Sequence, residues 1–165
     1  MQEAEECQIH SAVIDSFNDR YGSESLLIVN ETRIGNVSPR NDPDKVIQFL
    51  RKKLPDGMSA EIVDDFQEKN LHSVKLKDCF KVNMKYALVG KDELQTVGDW
   101  DEFYKKYPGS VIVELSRVGF NKELTQAVVY VSSTNGSRSG WGYYVFLTKE
   151  NSSWQIRQRT LAWVS

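Results

Sequence analysis

The chain has 165 residues, enough for a single domain (1–165) that buries a core without metal or disulfide staples. With 40% hydrophobic and 27% charged residues it reads as an ordinary soluble globular protein, and its formal net charge of -2 offers no basic field for a nucleic-acid backbone. No apolar run reaches the ~18 residues of a membrane span. The acidic start "MQEAEECQIH" also lacks the basic and apolar regions of a signal peptide.

Taken in order, Glu3 to Arg20 predicts an amphipathic helix, with Cys7, His10, Val13, Ile14 and Phe17 recurring on one face. The short branched run "SLLIVN", Ser25 to Asn30, predicts a strand. Asp42 and Pro43 open a second helix with an apolar stripe of Val46, Ile47, Phe49 and Leu50. After the turn Pro55-Asp56-Gly57, Ser59 caps a third helix through Ile62, Val63 and Phe66 to near Asn70. Leu71 to Lys85 alternates weakly and predicts a loop with short extended pieces.

Tyr86 to Gly90 predicts a short strand, Asp92 caps a helical turn, and Asp99 caps a short helix carrying Trp100, Phe103, Tyr104 and Tyr107. Beyond Gly109 the apolar period changes from about 3.6 to 2. Four strands follow, at Val111–Phe120, Thr125–Ser133, Gly142–Lys149 and Trp154–Ser165. Their short connections predict an antiparallel meander. The expected fold class is therefore α+β, with N-terminal helices packed on one face of a C-terminal four-stranded antiparallel meander.

Catalytic chemistry has little support. His10 and His72 have no metal-ligand spacing, no metal or cofactor site is indicated, and no Gly-x-Ser-x-Gly elbow occurs. Cys7 and Cys79 leave two readings open: free buried thiols, or a disulfide tying the first helix to the middle of the chain in an oxidising compartment. Four Asn-x-Ser/Thr triplets, at Asn30, Asn36, Asn135 and Asn151, mark Asn- and Ser-rich turns.

Strand alternation puts Glu114 with Ile112 and Ser116, and returns Arg117 to the face of Val111, Val113 and Leu115. An arginine on an apolar face needs a partner, either a structural carboxylate or a bound anion. The C-terminal aromatics include Tyr130 and Tyr144, which fill a core or line a ligand face. Arg138 sits between Gly136 and Gly140, in a loop that connects two strands or cradles an anion. Arg117, Tyr130, Arg138, Tyr144 and Glu114 are thus the candidate ligand-binding residues. They suit a non-catalytic domain that binds a protein partner or small molecule. The alternative is a small-molecule enzyme of isomerase or hydratase type, with a pocket between helices and sheet and Glu114 as its base.

Ser116–Val131 ("SRVGFNKELTQAVVYV"), Gly142–Ile156 ("GYYVFLTKENSSWQI"), the terminal "WVS" and the upstream "WDEFYKKYPGS" resemble a family of uncharacterised bacterial proteins. The resemblance covers about the last third of the chain. It implies a fold but no activity. Because many members are exported, it implies a secreted or periplasmic location, with the cytoplasm as alternative. Where that family carries two cysteines before Gly-Tyr-Tyr, this chain has Ser, Arg and Gly. The helices-then-sheet order is also similar in architecture to nuclear-transport-factor-2-like domains.

Overall fold

The computed structural model describes residues 2–33, 42–136 and 139–165. Five helices, α1 (Gln2–Ser16), α2 (Pro43–Lys53), α3 (Glu61–Lys69), α4 (Lys91–Gln95) and α5 (Trp100–Lys106), surround one sheet. Its strands are β1 (Ser25–Val29), β2 (Lys85–Val89), β3 (Ser110–Leu115), β4 (Gly119–Phe120), β5 (Gln126–Gly136), β6 (Ser139–Glu150) and β7 (Ser153–Val164). The sheet has seven strands in the order β2-β1-β3-β5-β6-β7, with β4 paired to β5.

This corrects the expected four-stranded meander with helices on one face. The strands from β3 onward do pair antiparallel, but β1 pairs parallel with both β2 and β3. The physical reason lies in "SLLIV". Leu26, Leu27, Ile28 and Val29 are all buried, so β1 has no solvent face. Such a strand needs cover on both sides, and parallel pairing with helical crossovers supplies it. The predicted Val111–Phe120 strand is also interrupted, ending at Leu115 and resuming as β4.

On one face Ile9, Val13 and Ile14 of α1, with Phe17 just beyond it, pack on Leu26, Ile28, Val113, Leu115, Val129 and Val145. Each such burial contributes about 1.5–3 kcal/mol. On the other face α2 and α3 set Val46, Leu50, Ile62, Val63 and Phe66 against Val128, Tyr130, Tyr144 and Phe146. Farther along that face, Leu94 and Phe103 cover Leu27, Val89 and Ile112. Among the described residues no helix is long and apolar enough to cross a membrane.

Local chemistry explains the element ends. Asp42 accepts from the backbone N–H groups of Asp44 and Lys45, and Pro43 takes the first helical position. Asp99 accepts from the N–H of Glu102. Asp92, expected to cap α4, lies inside it, and the cap position is Gly90. α1 stops at Ser16, short of Arg20, where Tyr21 donates its hydroxyl to the Ile14 carbonyl. β6 and β7 join through Asn151 and Ser152, both at positive φ, as a tight hairpin turn requires.

Two glycines are set by close approach. At Gly119 a Cβ would overlap the backbone of α3 at Ile62 and Phe66, and at Gly142 it would overlap the Trp163 indole and the Tyr130 hydroxyl. Gly119→Ala should therefore cost about 3 kcal/mol and Gly142→Ala about 1–2 kcal/mol. The first obstacle is helix backbone, while the second is side chain that shifts. Urea midpoints of the two variants measure both costs, and the reverse ranking would contradict this packing.

Candidate functional site

The sheet separates two clusters of polar side chains. The first lies on the α1 face. Glu6 falls in the same helical stripe as Ile9, His10 and Val13 and is buried there. Its Oε1 accepts from Arg117 Nη2 at 2.7 Å, and its Oε2 accepts from the Val118 N–H at 3.4 Å. The Arg117 Nε is buried without a partner among the described residues.

His10, one turn along, donates Nε2–H to the Ser116 carbonyl at 2.9 Å. Burial lowers its pKa below the ordinary 6.5; the Ser116 hydrogen bond and the Glu6 charge pull it partly back. The ring is therefore held neutral.

A cleft of about 720 Å³ opens beside this cluster. One wall is α1, with Ala4, Glu6, Cys7, His10, Ser11 and Ala12, and the other is the segment from Val74 to Lys81. That segment is tied to α1 by a Cys7–Cys79 disulfide with Cα atoms 6.1 Å apart, which settles the two open cysteine readings. Further ties come from Ser11 Oγ, which accepts the Lys81 N–H, and Asp15, which accepts the Asn83 N–H. Lys77 also pairs with Glu3 at 2.7 Å. The disulfide closes a loop with a sequence separation of 72, which by chain entropy contributes about 4 kcal/mol.

The second cluster lies on the α2/α3 face. Trp163 Nε1 donates to the Tyr130 hydroxyl at 2.6 Å, and Tyr130 packs on Tyr144 with ring centroids 5.4 Å apart. Burial raises the pKa of both hydroxyls, so both stay protonated. Nearby, Glu114 pairs with Arg33 at 3.4 Å. Gly142 leaves the space that Trp163 occupies.

The structure thus brings Glu114, Tyr130 and Tyr144 together but puts Arg117 on the opposite face of the sheet. Arg138 lies outside the described residues. β5 runs through Asn135 and Gly136, and Gly136 pairs with Ser139, so the turn expected at Asn135 is strand.

Sequence reasoning missed Glu6, Arg33 and the Val74–Lys81 wall as site residues. Glu6 had a signal, because it sits in register with the apolar stripe of α1. The loop had none. Among the described residues no cluster of three His, Cys, Asp or Glu is placed to hold a metal ion. No family model, curated protein or solved structure matches the chain.

His10 gives a pH test. Between its lowered folded pKa and 6.5 the unfolded chain binds more protons, so stability is lost as pH falls below about 6.5. The slope from this one group is at most about 1.4 kcal/mol per pH unit. Urea unfolding between pH 5 and 8 should show this slope in the wild type and a shallower one in His10→Gln, which retains a donor for Ser116. Equal slopes would show that His10 is not held neutral.

Proposed function

We propose that the protein is a non-catalytic binding domain whose cleft between α1 and the Val74–Lys81 segment holds a small carboxylate with an apolar body. The observation that carries this reading is that the reactive groups around the cleft are already engaged. Glu6 is held by Arg117, His10 by the Ser116 carbonyl, and Cys7 by Cys79. No base or nucleophile is left free among them, while shape and hydrogen-bonding surface remain. The volume lies within the range of small-molecule sites.

Ala4, Ala12, Val74, Leu76 and Phe80 supply apolar lining for the ligand body. The charged end is chosen by the lining cations. Lys77 pairs with Glu3, Lys75 with Glu31 and Arg117 with Glu6, whereas Lys81 has no carboxylate partner among the described residues. A ligand carboxylate completes that pair. The disulfide supports an oxidising compartment, in keeping with the exported members of the family the chain resembles.

The test compares 4-phenylbutyrate with 4-phenylbutylamine by ligand-observed NMR. At roughly -0.3 kcal/mol per non-hydrogen atom, the acid should bind with a Kd on the order of 1 mM. The amine should bind at least about tenfold more weakly. Ala12→Trp, which fills the cleft, should abolish binding, and Lys81→Glu should reverse the preference. No binding of either compound, or binding unaffected by Ala12→Trp, would overturn the proposal.

A further inference from the structure

We infer that the outer edge of β7 docks an extended segment of a partner protein in which an acidic and an apolar residue alternate at positions i and i+2. Among the described residues β7 is an edge strand, paired only with β6. Its residues Arg159, Leu161 and Val164 lie opposite Val145, Tyr143 and Trp141 of β6, on the α1 side of the sheet. Leu161 is 48% exposed and Val164 69% exposed. These apolar side chains border the half-buried rings of Trp141 and Tyr143, so they form a continuous patch rather than scattered surface residues.

Two arginines stand beside that patch. The Arg20 guanidinium lies over the Tyr143 ring at 5.4 Å, and the Arg159 guanidinium over the Phe17 ring at 4.6 Å. Those two rings touch, with centroids 5.2 Å apart. Arg20 donates to the Tyr143 hydroxyl and Arg159 to the Ser16 carbonyl, and neither meets a carboxylate among the described residues. Two fixed cations beside an exposed apolar edge are complementary to an acidic, partly apolar chain. A strand added to β7 would bring its backbone to the free edge. One side chain would fall near Arg159 and the next on the same face near Leu161.

The edge also selects against a second copy of this chain. Register shifts opposite Gly142/Tyr143 and Phe146/Leu147 break β7 into short regular pieces, of which Gln158–Leu161 is one. A two-fold pairing centred there sets Arg159 diagonally against Arg159 of the other copy, and such like charges repel. A short partner segment meets neither obstacle.

The experiment uses the full chain and a fluorescein-labelled peptide of repeated Ser-Glu-Ser-Val, with a matched Ser-Lys-Ser-Val control, read by fluorescence anisotropy. The glutamate peptide should bind at least about tenfold more tightly than the lysine peptide. Arg20→Glu and Leu161→Lys alter exposed side chains and should each weaken it severalfold while leaving the circular dichroism spectrum unchanged. Amide NMR shifts on peptide addition should centre on Gln158–Leu161. Equal binding of the two peptides, shifts centred elsewhere, or no loss in either variant would overturn the inference. So would concentration-dependent dimerisation of the wild type that Leu161→Lys abolishes, because the edge would then be filled by a second copy.

Discussion

A strand without a polar face dictates much of this architecture. β1 buries Leu26 and Ile28 on one side and Leu27 and Val29 on the other. It must therefore sit inside the sheet, with strands at both edges and helices over both faces. Parallel pairing with β2 and β3 follows, because the chain between β1 and each partner has room for helical crossovers. α1 covers one face. α2 and α3 cover the β5–β6 end of the other, and α4 and α5 cover its β1–β2 end.

The attachment of α1 shows how a cover becomes a site. Apolar packing of Ile9, Val13 and Ile14 sets the helix on the sheet. Its polar residues add direction: Glu5 accepts from Lys149 and Trp154, Glu6 from Arg117, and His10 donates to Ser116. Burial raises the Glu5 pKa, but the Lys149 and Trp154 contacts more than offset it, so the carboxylate is kept charged. These contacts bind the sheet-facing side of the helix. Its outer side is left to the Val74–Lys81 segment, which closes on it through the disulfide without filling the space between them. The cleft is what remains where a helix is covered by loop rather than by another helix.

Much of this was legible in the sequence, and the limits have physical causes. The caps at Asp42 and Asp99 were readable because capping is local chemistry. So was the change to strand period after Gly109. The pairing partner of β1 was not. It lies about sixty residues downstream at β2, and periodicity carries no information about which strands meet. The unbroken apolar run of "SLLIV" did signal a strand covered on both faces, and that signal outweighs the helices-first order that suggested a meander. For the site, two mismatches of opposite sign were visible: Glu6 in an apolar helical stripe and Arg117 on an apolar strand face. Each demanded a partner, and they are each other's. The loop wall of the cleft had no comparable signature, because it is held by one covalent bond and a few backbone hydrogen bonds rather than by a patterned surface.

The Cys7–Cys79 bond makes a covalent ring of everything between the first helix and the cleft wall, enclosing β1, α2 and α3. A single proteolytic cut inside that ring releases no fragment, since both pieces stay joined through the sulfurs. Tension applied to the two ends of the chain likewise bypasses the ring. It is carried from Cys7 straight to Cys79 and falls on the antiparallel ladders of β5, β6 and β7, which lie outside it. Resistance to nicks and to pulling is thus divided unequally along this chain. The first half is held by a covalent bond, and the second by the length of its strands.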